Sequence, residues 1–168
     1  MNIVDKALIY RAGFSVERLH CRPKITEYNN GFHSANAALI AMDLCLANHV
    51  PYYSVIHYML LHDLHESYTG DVPGNVKIDH EGLHSEFLKI ERRWNEMFLP
   101  DSPDLSTEEK VICKCADLIE LGLFYRDEFN LGNRTLKPVK LNVLNYLEHY
   151  KDIIGVSEFI QYITHGEI

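Results

Sequence analysis

The sequence predicts an all-α, single-domain helical bundle of about six or seven helices. Apolar residues recur at helical spacing along most of the chain, capping and stopping residues punctuate that pattern, and no stretch shows a convincing period of two. The 168 residues fit one domain spanning 1–168, and a hydrophobic share of 46% gives it a sizeable core.

The elements follow in order. Asn29-Asn30-Gly31 is a turn and cap signal. The segment from Ser34 to Asn48, rich in Ala, Leu and Met, is apolar nearly all round, as a buried helix is. A second buried helix is predicted from Tyr53 to Tyr68, stopped by Gly70. Pro73 and Gly74 make Asp71-Val72-Pro73-Gly74-Asn75 a loop. From Glu81 to Phe98, the residues Leu83, Phe87, Ile90, Trp94 and Phe98 fall at spacings of four, three, four and four, one face of an amphipathic helix. Pro100 to Pro103 ends it. Ser106 with Glu109 forms a capping box that opens a helix reaching about Phe129. Gly132-Asn133 turns the chain, and helices near Val139–Tyr150 and Val156–Ile163 complete it.

Charge and cysteine usage narrow the function. The formal net charge is −8 and no Lys/Arg cluster forms a basic face, which argues against a nucleic-acid polymer as partner. A small anionic substrate remains compatible, because a few cations or a metal ion reverse the sign inside one cleft. Cys21, Cys45, Cys113 and Cys115 match neither a disulfide framework nor paired zinc knuckles and read as reduced thiols. Residues 1–6 lack a signal-peptide layout and no apolar run approaches the ~20 residues of a membrane helix. The expectation is a cytoplasmic protein (host cytoplasm, if phage-encoded) with no membrane partner.

The strongest local feature is Leu60-Leu61-His62-Asp63-Leu64-His65-Glu66-Ser67. A carboxylate on a buried helix needs a cation or several donors, and a divalent metal between His62 and Asp63 supplies one. Glu66, four residues after His62 and three after Asp63, shares their helix face. His33 opens the first buried helix, and Asp117 sits mid-helix among apolar neighbours. Two imidazoles and two carboxylates suit a divalent transition ion such as Mn, Co, Fe, Ni or Zn better than Ca or a structural Zn. Each residue alone has an ordinary alternative. His33 could cap a helix, Asp117 could bond a backbone group, and Glu66 and Asp71 could be a solvated acid and a helix stop.

His33, His62-Asp63 and Asp117, in that order, resemble the H…HD…D signature of HD-domain phosphohydrolases. The stretch from His62 to Lys77, with Thr69-Gly70-Asp71-Val72-Pro73 at its centre, resembles a segment of bacterial 5′-deoxynucleotidases. Arg18 and Phe32-His33-Ser34 resemble that group's arginine and its EHS element. The chain is also similar to compact phage dATP triphosphohydrolases. The resemblance covers residues 15 to 130. It implies His33, His62, Asp63 and Asp117 as metal ligands and Glu66 as general acid/base. Asp71 would orient water or the leaving group, and Arg18 and Lys77 would meet phosphate or sugar oxygens. Leu19 stands where the deoxynucleotidases tend to carry a Trp against the sugar, and Phe32 stands where they have Glu; both bear on substrate choice.

The expected function is therefore metal-dependent hydrolysis of a 2′-deoxynucleotide. It leans to a dNTP (dATP) triphosphohydrolase, with a 5′-deoxynucleotidase as the alternative and a non-catalytic nucleotide-binding HD protein as a remote one. The expected cofactor is Zn, Co or Mn, with an additional Mg left open. The family resemblance implies a homo-oligomer. His80-Glu81-Gly82-Leu83-His84 spells the zinc-protease string HExxH, but it carries a helix-weakening Gly and no third ligand at short spacing downstream.

Overall fold

The computed structural model describes residues 1–165. Nine helices follow one another among them: α1 (Ile3–Phe14), α2 (Asn30–Ala47), α3 (Tyr53–Leu61), α4 (Glu66–Thr69), α5 (Gly74–Asp79), α6 (Glu81–Phe98), α7 (Thr107–Asn130), α8 (Lys137–Glu148) and α9 (Val156–Thr164). The described residues contain no named strand, only an isolated bridge between Glu17 and Asn29. The all-α expectation holds. The excess over six or seven helices comes largely from the single-turn α4 and the six-residue α5.

The centre of the bundle is α2 against α7. Ala37, Ala38 and Ala41 on α2 and Cys115 and Ala116 on α7 are buried, and side chains this small let two helix backbones come close. Helix α3 packs on both, and α8 and α9 close the far side of α7. At Gly122 of α7 a methyl group would collide with Ile163 of α9, so the glycine sets how near that helix docks. A smaller cluster of Leu64, Trp94 and Leu99 lies under α1.

Local chemistry explains most boundaries. The Asn29 side chain accepts from Phe32 N at 2.9 Å, so α2 starts four residues before the predicted Ser34. Ser106 and Glu109 make both bonds of the capping box that opens α7. The predicted Tyr53–Tyr68 helix is a correction. It stops at Leu61, and the chain passes into tight turns in which Leu64, Glu66, Ser67 and Tyr68 each donate to the carbonyl three residues back, at 3.0–3.1 Å. The predicted loop at Asp71–Asn75 is also shortened, since Gly74 already opens α5. Nothing in the periodicity marks α1, whose Ile3, Val4 and Leu8 are exposed.

A buried acid gathers several donors of the segment between α1 and α2 and the loop after α7. Glu128 of α7 accepts from Ile25 N (2.8 Å), Thr26 N (2.8 Å), Thr26 Oγ1 (2.6 Å) and Asn133 Nδ2 (2.7 Å). That knot carries the loop back to Tyr28, whose carbonyl accepts from Arg18 N at 2.9 Å.

Candidate active site

The tight turns after α3 have a direct consequence for chemistry. Adjacent residues on a regular α-helix point about 100° apart. The tightened segment lets neighbouring His62 and Asp63 face the same point, where His62 Nε2 lies 3.1 Å from Asp63 Oδ2. From the first turn of α2, the fully buried His33 brings its Nε2 to 3.9 Å from Asp63 Oδ2 and 3.2 Å from Asp117 Oδ1, which α7 supplies from its middle. Ligand atoms of His33, His62 and Asp117 all lie within 4.8 Å of one another. The four residues singled out in the sequence therefore meet.

Both imidazoles use their Nδ1 elsewhere. His62 Nδ1 lies 2.8 Å from Met59 O, a carbonyl freed where α3 ends. His33 Nδ1 meets the Glu120 carboxylate, with the Tyr28 hydroxyl 3.2 Å away. A neutral ring that donates through Nδ1, as a metal-bound histidine does, leaves Nε2 as a lone pair. Both Nε2 atoms are buried and lack a hydrogen-bond partner among the described residues. Two orphaned nitrogens aimed at two carboxylates are chemically the donor set of a divalent transition metal.

Without an ion the two rings favour their protonated form: against burial and Arg18, Asp117 and Glu120 raise the His33 pKa to about 9, and against burial Asp63 raises that of His62. Burial opposes ionisation of Asp117, but His33 and Lys114 outweigh it and hold the carboxyl well below the usual range. Asp63 likewise stays ionised against burial through His62 and Arg18. Glu66 behaves oppositely: burial, then the neighbouring Asp63 charge, push it up to about 7. It is buried beside the cluster, and Asn30 Nδ2 donates to its Oε2 at 2.8 Å.

The remaining predicted residues surround this centre. Arg18 donates to Asp63 Oδ2 at 2.5 Å and to Asn30 Oδ1 at 3.1 Å, so one guanidinium nitrogen is committed to the cluster. Asp71 Oδ2 accepts from Leu19 N at 2.9 Å. Leu19 has a φ of 50°, and the Asp71 bond helps fix this left-handed turn directly after Arg18. Lys77 lines a cleft of about 290 Å³ that also contains His62, Asp63 and Asp117. A wider groove of about 740 Å³ joins it at Tyr58, Glu91 and Lys110 but holds none of the His/Asp cluster.

Several residues escape sequence reasoning. Lys110 and Lys114 line the cleft with Lys77, and Lys114 Nζ is 2.9 Å from Asp117 Oδ2. They stand seven and three residues before Asp117, which puts all three on one face of α7, a signal present in the sequence. Glu120, three residues after Asp117, carries the same signal. Asn30 and Tyr28 carry none, because the acids they bond, Glu66 and Glu120, lie far along the chain. Tyr125 and Arg126, two turns and more beyond Asp117 on α7, lie apart from the cluster: Tyr125 is in the core, and Arg126 donates to the carbonyls of Tyr162 and His165. His80 is exposed, and His84 lines a small chamber of about 60 Å³ beside Glu66 and Lys77. The two form no metal cluster among the described residues.

A family model described as 5′-deoxynucleotidase YfbR-like matches residues 14–166. The chain belongs to this YfbR-like family of HD-domain phosphohydrolases. No curated protein matches the sequence. Among solved structures, an HD-domain phosphohydrolase from Listeria innocua is 15% identical with a TM-score of 0.75, over 99% of this chain and 92% of that one. A conserved hypothetical protein from Pyrococcus furiosus is 18% identical with a TM-score of 0.71, over 95% of each chain. The cyanophage S-2L HD phosphohydrolase DatZ, solved bound to dA and one catalytic Zn2+ ion, is 16% identical with a TM-score of 0.63, over 92% of this chain and 91% of that one. At these identities the likeness establishes the YfbR-like chain's fold. No helix among its described residues is long and apolar enough to cross a membrane.

Proposed function

We propose that this phosphohydrolase cleaves 2′-deoxynucleotides, with Zn, Co or Mn held by His33, His62, Asp63 and Asp117. The two buried Nε2 atoms, one 3.2 Å from Asp117 Oδ1 and the other 3.1 Å from Asp63 Oδ2, carry the proposal. When bound, such an ion polarises a phosphoryl oxygen and lowers the pKa of a water from ~15.7 toward ~7.

The chain's own groups do the rest. Water attacks phosphorus and leaves one proton on the phosphate product, the bond to the 5′ oxygen breaks, and Glu66 gives that oxygen its proton and takes another from solvent. A carboxyl raised to about 7 is still partly protonated near neutrality, as a general acid must be. Asn30 holds the Glu66 carboxyl, and Asp71 holds the backbone turn that places Arg18 and Leu19. Arg18 and Lys77 offset charge developing on the phosphoryl oxygens.

Lys77, Lys110 and Lys114 on one cleft favour a substrate with more than one phosphate. The substrate would then be a dNTP such as dATP, attacked at the α-phosphorus to give deoxynucleoside and triphosphate. The DatZ neighbour, solved with dA, supports an adenine nucleotide. A second reading, release of phosphate from a dNMP, is favoured by the description of the family. The same proposal includes a homo-oligomer, to which the exposed Tyr146 and Tyr162 of α8 and α9 are available; sedimentation as a monomer would remove that part. The test is to supply purified protein with Mn, Co or Zn and the full set of deoxynucleotides. Release of phosphate or triphosphate is expected, and release of neither from any of them would end the proposal.

A further inference from the structure

We propose that Glu120, backed by Tyr28, is a positioning residue that fixes the His33 ring so that its bare Nε2 faces the metal. The inference rests on the assignment of His33, His62, Asp63 and Asp117 as ligands.

His33 is fully buried, and its Nδ1 edge meets Glu120 Oε2. The Tyr28 hydroxyl donates to the same oxygen at 2.5 Å and lies 3.2 Å from His33 Nδ1. The Tyr28 hydroxyl spends its own proton on that oxygen, so the contact between Nδ1 and Oε2 uses a proton on Nδ1, and a neutral ring then has its lone pair on Nε2. Tyr28 cannot swing away: its ring stacks on Phe124 with centroids 3.8 Å apart and planes 9° from parallel. The pair is therefore built to hold one tautomer and one ring orientation.

Packing gives no other reason for an acid here. Glu120 is 3% exposed on α7, beside the core residues Ala116, Ile119 and Phe124. A carboxylate in such surroundings is unfavourable unless it is hydrogen-bonded, and among the described residues its partners are His33 and Tyr28. Metal-bound histidines commonly donate their second nitrogen to a carboxylate or a carbonyl, which fixes the ring and raises its basicity. His62 uses the carbonyl form through Met59, whereas His33 uses the charged form. Glu120 should thus matter more to metal affinity than the His62 backbone contact does.

The experiment is a competition titration of the metal-free full chain with Zn2+ against a chromophoric chelator, on wild type, Glu120→Gln and Tyr28→Phe. Glu120→Gln keeps an acceptor oxygen but removes the charge, and about a 10- to 100-fold weaker Zn2+ affinity is expected. Tyr28→Phe keeps the ring stack, and a smaller loss is expected. NMR of Zn-loaded wild type is expected to show the His33 proton on Nδ1. Unchanged affinity in Glu120→Gln, or in Tyr28→Phe should the first variant not fold, would overturn the positioning role and leave the metal centre standing. A wild type that takes up no Zn2+ would remove the metal-ligand assignment together with this inference.

Discussion

Asn30 donates through Nδ2 to Glu66 Oε2 at 2.8 Å, while its own Oδ1 accepts from Arg18 at 3.1 Å. One amide thus links the proposed proton donor to the cation that pairs with Asp63. Because Glu66 is raised to about 7, its protonated form is present below that pH and lost above it. A general acid with this property gives a rate that falls as pH rises through about 7. Glu66→Gln should lower kcat by about 10²- to 10⁴-fold, keep metal uptake and abolish that alkaline limb. Measuring kcat against pH for both proteins checks this, and an unchanged limb in the variant would assign it to another group.

Glu128 makes four hydrogen bonds from a buried site, and although burial opposes ionisation, Thr26 and Asn133 hold its pKa below the ordinary 4.5. A lowered folded-state pKa gives stability that is fully present above 4.5 and lost as pH falls through the folded value. Glu128→Gln should therefore destabilise the fold by about 1–3 kcal/mol at neutral pH, with a smaller difference from wild type in acid. Urea midpoints at pH 7 and pH 3 read this directly; an equal difference at both would refute the charge argument.

Gly13 of α1 lies against the turn that carries the HD pair: a methyl group there would come 2.9 Å from Leu64 Cα. Backbone cannot yield as a flexible side chain does, so Gly13→Ala should cost about 1–3 kcal/mol even though alanine favours helix. Leu64 follows Asp63, so weaker metal uptake should accompany the lower Tm. A variant as stable as wild type would show that α1 shifts freely over the turn.

Lys110 lines both the cleft and the wider groove that joins it. Its removal should act on the phosphate chain and not on the ligands. Lys110→Ala should raise KM for a dNTP about fivefold with kcat nearly unchanged, and should leave dNMP hydrolysis unaffected. Equal effects on both substrates would contradict a track for the outer phosphates.

The helices that write their periodicity or caps into local sequence were legible. The Ser106–Glu109 box opens α7, and on the stripe of α6 Trp94 is buried and Phe98 half-buried, although Leu83 at its start is exposed. The break after Leu61 was not legible, because a turn of three-residue hydrogen bonds uses the same residues as an α-helix; the meeting of His62 and Asp63 with His33 and Asp117 decides it. The four proposed ligands were legible only as a joint pattern, since each alone has an ordinary reading. Arg18, Asn30 and Tyr28 act through partners far along the chain, and no local spacing announces that. His84 lies beside Glu66 without entering the metal cluster, so His84→Ala should leave nucleotide hydrolysis largely intact.

The most direct test is product analysis of metal-supplemented protein on dATP and dAMP, with Asp63→Ala as control. The account predicts triphosphate and deoxyadenosine from dATP, and none from the variant. Phosphate from dAMP with dATP untouched would move the YfbR-like chain to the 5′-deoxynucleotidase reading. Hydrolysis that survives Asp63→Ala, or no product from either nucleotide, would contradict the account.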